Sequence, residues 1–385
     1  MIWIGIVFIV FYVTAIGLLC FGNFKLKRFS SEEKIPETSF SIVIPFRNEA
    51  ENLPTLIASL QNLNYPQHLF EIILVNDASE DASKDIIYSE FQTIKQSKGE
   101  SILQIVPDFK VIENVRNSGS PKKDAIRTAI EIASNEWIIT TDADCSVPKN
   151  WLNQFNAIIK KKDAVMVCGP IFYKSKGNFI ESFQQLDGLS LQAVTIGSFG
   201  LGNALLCNGA NLGYKKSAFL AVEGFTNNDH IASGDDIFML EKMKTRFPDN
   251  VVYLKNEEAI VTTLPEKSWE NIINQRIRWA SKTSKQQNPF SKILGFLVFL
   301  TNLFLVFGLV YCFFNQAFII PFIIIVEVKL LVDFIALHQV SRFFNARISY
   351  VHYYLSFFLY PFLTVWVVLN SFRRKYDWKG RSFKT

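Results

Sequence analysis

Apolar residues are distributed in two ways along this chain. At both ends they run on almost without interruption, and in the middle they come in short blocks closed by polar residues. Ile2 to Phe21 carries no charge and has the length of a bilayer-crossing helix. Leu294 to Phe314 and Tyr350 to Val368 read the same way. Ala317 to Leu337 is as long but holds Glu327, Lys329 and Asp333, so it is expected to pack in a bundle or lie at the interface.

The central blocks predict strands over Phe40 to Pro45, Phe70 to Val75, Trp137 to Thr141 and Val165 to Pro170, with shorter ones at Ile102 to Val106 and Phe109 to Ile112. Helices are expected from Asn52, with Pro54 in the first turn, and from Ser83. Further helices are expected over Asp124 to Ser134, Phe179 to Gly197, Ile237 to Lys244 and Ser268 to Lys282. Nearly continuously apolar strands alternating with helices mean an α/β fold whose mainly parallel sheet is covered on both faces. Polar residues recur where the strands stop, and in open sheets of this kind ligands bind at the C-terminal strand ends.

Composition sharpens the picture at the ends of the chain. With 385 residues, 49% of them hydrophobic, 36 Phe and only 19% charged, the chain is too apolar for an ordinary soluble domain. The net charge of +5 is modest and does not argue for nucleic acid. Lys25, Lys27 and Arg28 follow the first apolar run, which places the next segment in the cytoplasm. That run lacks a basic n-region and a small-x-small site, so an uncleaved anchor is expected. Three later crossings would put Arg373, Arg374 and Lys375 outside, against the same tendency, so one later run is expected to be interfacial or re-entrant. The five Cys show no paired spacing and the four His are scattered, which speaks against a disulfide framework or a His-based metal site. The expected layout is an anchor at 1–24, an α/β domain at 38–285, membrane helices at 292–371 and a basic tail at 372–385.

Candidate chemistry centres on Asp142 and Asp144. On an extended chain, carboxylates at i and i+2 point the same way, and two hard oxygen donors suit Mg²⁺ or Mn²⁺ with an anionic partner such as a diphosphate. The competing reading is a solvated Asp-rich turn.

Six motifs in order carry a resemblance. They are Ser41 to Pro45 with Arg47-Asn48-Glu49, Val75 to Ser79, Lys122 to Ala125, Thr141 to Asp144, Gly234-Asp235-Asp236, and Gln275-Arg276-Ile277-Arg278-Trp279. Together they resemble membrane-bound family 2 glycosyltransferases with a GT-A fold. The Gln-x-x-Arg-Trp motif is similar to that of cellulose, chitin and hyaluronan synthases and of ceramide glucosyltransferase-like enzymes. One departure is visible: Asn117-Ser118-Gly119 is followed by Ser120-Pro121 before Lys122, which leaves open which lysine approaches the nucleotide.

The resemblance implies a UDP-sugar donor, a lipid or glycan acceptor at the membrane, and inverting transfer. It implies that Pro45, Arg47, Glu49 and Asp77 line the base pocket, Asp77 alternatively capping the helix near Asp81. Lys123, or its neighbour Lys122, would neutralise diphosphate; the alternative is a surface lysine. Asp144, with Asp142 contributing, would hold the metal. Asp236 would be the general base with Asp235 beside it, or else the cap of the helix beginning at Ile237. Gln275, Arg278 and Trp279 share one helical face and would bind diphosphate and stack on sugar, or would place Trp at the membrane interface. Asn208, Gly209 and Asn211 would line the acceptor side. Competing expectations are a processive polysaccharide synthase subunit and, from another class, an inactive membrane-anchored nucleotide-sugar binding module. A nucleotidyltransferase would want a Gly-rich loop after the first strand, where this chain has Phe46-Arg47-Asn48-Glu49.

Overall fold

The computed structural model describes residues 1–30, 35–97, 108–283, 285–372 and 376–383. The chain forms two compact units, one of Arg28–Phe172 and Cys207–Leu264, the other of Met1–Lys27, Tyr173–Leu206 and Pro265–Thr385.

The first unit is built on a seven-stranded sheet. Strands β1 (Phe40–Phe46), β2 (Phe70–Asn76), β3 (Asp108–Glu113) and β4 (Trp137–Thr140) are mutually parallel, in the order β3-β2-β1-β4. β5 (Cys145–Ser146), β7 (Ile171–Tyr173) and β10 (Val261–Thr263) make a small second sheet, and β6 (Met166–Cys168), β8 (Leu212–Lys215) and β9 (Val251–Tyr253) complete the large one. There β8 runs antiparallel to both β4 and β6. The expected strand at Ile102 to Val106 lies outside the described residues.

Burial explains why these blocks are strands. β1 and β2 are walled in on both faces, so both sets of alternating side chains are mainly apolar, with the buried Ser41 donating to Glu71 at 2.6 Å. α2 (Leu53–Gln61) covers them with Leu53, Leu56, Ile57 and Leu60, a helical stripe, with Pro54 pre-set in its first turn. α3 (Ser83–Ser97), α5 (Trp151–Lys162), α7 (Lys216–Ala221) and α8 (Ile237–Arg246) belong to the same unit. α4 (Pro121–Ile132) starts three residues earlier than expected, because Pro121 is compatible with the first helical turn rather than a barrier to it. That shift puts Lys122 and Lys123 on the helix.

The second unit is helical: α1 (Ile2–Lys25), α6 (Phe179–Gly200), α9 (Trp269–Thr283), α10 (Pro289–Cys312), α11 (Ile319–Phe343) and α12 (Tyr350–Ser371), with a terminal hairpin of β11 (Tyr376–Trp378) and β12 (Arg381–Phe383). Residues 173–206 and 265–283, expected within the α/β domain, therefore belong to the helical unit, where α6 packs on α1 and α9 on α12. Among the described residues α1, α10 and α12 are long and apolar enough to cross a membrane. Two charges of α11 are turned inward while Glu327 is exposed: Lys329 is buried 2.7 Å from Asp333, whose other oxygen accepts a 2.6 Å hydrogen bond from the Tyr12 hydroxyl. Arg373, Arg374 and Lys375, on which the topology argument rested, lie outside the described residues.

Candidate active site

Two clusters form at the C-terminal ends of the parallel strands, both within the sheet-bearing unit. The first joins the ends of β1, β2 and β3. Asp77 is buried; its N–H donates to the Phe46 carbonyl, and its Oδ1 accepts from Asn114 at 2.7 Å with the Arg116 guanidinium 3.5 Å away. At the start of α3 the carboxylate of Asp81 also meets backbone N–H groups. Asp81 takes the Ser83 N–H at 3.1 Å and the Ala50 N–H at 3.0 Å, and burial notwithstanding, these bonds hold its carboxyl below the usual range.

Arg47 ties the β1 and β2 loops together, donating to the Asp77 and Ala78 carbonyls and pairing with Glu80 at 2.8 Å. Asn48 and Ala78 both have positive φ, at 52° and 55°, which is costly for Ala and is held by these cross-links. Glu49 is buried, receiving Asn52 on its carboxylate, while its N–H donates to Ser83. Pro45 lies in β1 opposite Val75. Asn114 and Arg116 were not singled out from the sequence; the signal was their place just beyond β3. Asp124 shapes their loop by accepting the N–H groups of Asn117 and Ser118.

The second cluster is acidic with one cation at its centre. The Lys122 ammonium lies 2.6 Å from Asp142 Oδ1 and 3.3 Å from Asp235 Oδ2. Burial alone would lower its pKa, but the charges of Asp142, Asp235 and Asp236 outweigh it and push the lysine above its ordinary range. Asp236 caps α8, accepting the Ile237 N–H at 2.7 Å on Oδ1, while Oδ2 receives the Gly209 N–H at 3.3 Å. Capping is thus real and leaves a carboxylate in the cluster. Gly234, with φ of 85°, makes the turn that presents Asp235 and Asp236. Gly209 is needed for close approach: a Cβ there would sit 2.6 Å from Asp235 Oδ2. Thr140 at the end of β4 holds Gly209 by donating to its carbonyl at 2.5 Å. Asp144 is exposed and accepts a weak bond from the Cys145 thiol.

Two expectations are corrected here. Lys123 is buried with its ammonium spent on the carbonyls of Asn228, at 2.6 Å, and Ile231, at 3.1 Å, so the lysine of the acidic cluster is Lys122. Asn211 does not line an acceptor surface. It is fully buried, donating to the Pro170 and Ala259 carbonyls at 2.8 Å each and accepting from the Trp151 indole at 2.9 Å. A buried amide so satisfied is a core clamp. Asn208 is half-buried and accepts the Ala210 N–H.

Gln275, Arg278 and Trp279 lie on α9 in the helical unit and are half-buried. Gln275 donates to Glu266 at 3.4 Å. Arg276, which the motif leaves unspecified, pairs with the buried Asp187 and stacks on Trp279 with its guanidinium carbon 4.2 Å from the ring centre.

The mainly parallel α/β sheet, with carboxylates and a lysine gathered at its strand ends, has a fold of the GT-A type. Residues 137–369 match the family described as glycosyl transferase family group 2, and residues 41–222 match glycosyl transferase family 2. The chain belongs to the family 2 glycosyltransferases. It is 27% identical over 242 residues to a poly-β-1,6-N-acetyl-D-glucosamine synthase of Staphylococcus epidermidis, covering 62% of this chain and 53% of that protein. It is 24% identical to glycosyltransferase AglE of Haloferax volcanii, covering 51% of this chain and 58% of the relative. The chain thus spans a little over half the length of these relatives. The mannosyltransferase PcManGT of Pyrobaculum calidifontis, solved with GDP-Man and Mn²⁺, shares the fold with a TM-score of 0.58 at 12% identity, covering 96% of both chains.

A divalent cation of the kind this family implies would find no ready-made cage: among the described residues no group of three His, Cys, Asp or Glu is placed to hold one. The donors do fit a cation completed by its ligand. Asp144 is an exposed hard carboxylate beside the half-buried Asp142, and Mg²⁺ or Mn²⁺ is commonly held by one or two carboxylates plus phosphate oxygens and water.

Proposed function

We propose that this glycosyltransferase moves one sugar, with inversion, from a UDP-sugar to a lipid-linked or membrane-proximal acceptor. The observation that carries the reading is the acidic cluster at the β4 end, where Asp142, Asp235 and Asp236 converge around Lys122 with Asp144 exposed beside them. Asp77, with Asn114, Arg116 and the loops of Pro45, Arg47 and Glu49, would take the nucleoside. Asp144, with Asp142, would hold the cation, which supplies Lewis-acid stabilisation of charge on the departing diphosphate. Asp236 would accept the proton of the acceptor hydroxyl as its oxygen forms the new bond to the anomeric carbon. The bond from that carbon to the diphosphate oxygen breaks, and the electron pair leaves with UDP. Asp235, 3.3 Å from the Lys122 ammonium, would orient the site. Gln275, Arg278 and Trp279 contribute by resemblance. Three apolar helices and the basic residues after α1 support a membrane setting with the sheet-bearing unit on the cytoplasmic face.

A second reading, processive synthesis of a polysaccharide, is favoured by the poly-β-1,6-N-acetyl-D-glucosamine synthase relative. One experiment separates them: purified protein in detergent with Mn²⁺, UDP- and GDP-sugars and total lipid from the source membrane, read as released nucleotide and mass gain. One lipid gaining a single hexose or N-acetylhexosamine supports the proposal, and a ladder of products supports the synthase. Nucleotide binding without turnover would leave only a binding module.

A further inference from the structure

We infer that Lys123 is a positioning residue for Asp236, resting on the reading of Asp236 as the base. Between α7 and α8 the chain runs from Val222 to Gly234 through turns alone, with φ of 57° at Glu223 and 70° at Asn227. Its own backbone bonds are short-range, such as those from the Asn228 and Ile231 N–H groups to the Phe225 and Asn228 carbonyls, and its end carries Asp235 and Asp236. Two lysines hold it by its backbone. From α8, Lys242 donates to the carbonyls of Val222, Gly224 and Thr226 at 3.1, 2.8 and 2.9 Å. From the first turn of α4, Lys123 donates to those of Asn228 and Ile231, the latter three residues before Gly234. The Phe238 and Phe225 rings, 5.0 and 6.0 Å away, close over the Lys123 ammonium.

This arrangement is expensive as mere packing. A buried ammonium loses its hydration, and the N-terminal turn of a helix is the end that disfavours a cation. An apolar side chain of similar volume is often as stable at a buried charged position, so the charge is better accounted for by what it fixes. Lys122, one residue earlier, holds the Asp235 carboxylate at 3.3 Å. Adjacent lysines of α4 therefore hold the same turn twice: Lys123 by its backbone and Lys122 by its side chain. Asp236 then stands within reach of Gly209 because α4 is its reference, not because its own segment is rigid.

The test uses the full chain in detergent with whichever donor is turned over. Lys123→Met should lower turnover by about ten- to a hundredfold, the cost of misplacing a reacting group by about 1 Å, with UDP affinity changed less than about threefold. Lys123→Arg should restore much of that loss. Lys242→Met, which loosens only the far end of the segment, should lower the melting temperature while turnover stays within about threefold of the unaltered protein. Hydrogen–deuterium exchange across residues 226–236 should quicken in Lys123→Met. The exchange readout serves even for a variant with no activity, with Lys123→Gln as substitute if Met does not fold. Unchanged turnover and exchange would overturn the inference, as would a parallel loss of UDP affinity, which would return Lys123 to the nucleotide. Equal turnover losses in the Lys123 and Lys242 variants would also overturn it. Asp236→Asn, run beside them, reports on the base itself: turnover retained there refutes the base while the exchange data still judge the clasp.

Discussion

The ammonium of Lys122 lies 2.6 Å from Oδ1 of Asp142, so the first carboxylate of the Asp142-Ala143-Asp144 pair already faces a cation of its own chain. The two aspartates look equivalent in sequence and are not. A divalent ion at Asp142 would meet a positive charge that the surrounding carboxylates keep protonated, whereas Asp144 stands exposed.

Mn²⁺ binding should accordingly depend on nucleotide. Titrating Mn²⁺ calorimetrically with and without UDP should show weak binding to the protein alone and clear binding to the UDP complex. Asp144→Asn should cut the UDP-dependent affinity by at least about tenfold and Asp142→Asn by less. Tight binding without UDP, or equal losses in the two variants, would contradict this inequality.

Gly209 tests how tightly the cluster is assembled. An added methyl would sit 2.6 Å from Asp235 Oδ2 and 3.3 Å from the Lys122 ammonium, so the carboxylate must move or the β8 approach must open. Gly209→Ala should cost about 1–3 kcal/mol in stability, the usual range for overpacking, and lower turnover by at least about tenfold. Denaturant unfolding and the turnover assay measure the two separately; full turnover would mean that Asp235 has no fixed part in the reaction.

Much of this was legible in the chain. Apolar blocks closed by Asn76-Asp77 or Asp142-Ala143-Asp144 marked strands and their functional ends together. What stayed hidden depended on helix phase or on distant partners. Consecutive helical residues point about 100° apart, so of Lys122 and Lys123 only one could enter the acidic cluster, and nothing local says which. Asn211 looked like a binding residue because it is polar and next to a Gly-containing turn. Its three partners, Trp151, Pro170 and Ala259, are 60, 41 and 48 residues away. β8 was missed because four residues including Gly213 make too short a pattern to read.

Lys255 gives a pH dependence with a definite sign. It is buried, and burial first, then the nearby Arg28 charge, lowers its pKa from 10.5 to about 8. A cation whose folded pKa is depressed carries its full penalty below the folded value, and the penalty is relieved as pH rises toward the unfolded one. Lys255→Met should therefore melt at a higher temperature than the unaltered protein at pH 7, and the gain should shrink as pH rises from about 8 to about 10. A gain that does not vary over this window would remove Lys255 as its source.

Arg276 and Arg278 differ by two positions on α9 and should fail in different ways. Arg276 meets the buried Asp187, whose pKa is raised by burial despite the guanidinium and the Tyr360 hydroxyl. Arg276→Met would leave that carboxylate buried and unpaired, a loss of about 3–5 kcal/mol at neutral pH. A raised acid is penalised above its unfolded pKa and freed as it protonates, so the variant should recover stability as pH falls from 7 toward 4. Trp279 would also lose the cation stacked on it. Arg278→Ala leaves the Arg276–Asp187 pair in place and should show no acid recovery beyond that of the unaltered protein, its loss falling on turnover instead. Melting curves at several pH values, set beside turnover, distinguish the two: acid recovery beyond the unaltered protein's in both variants, or in neither, would remove an unpaired Asp187 as the source of the Arg276→Met loss.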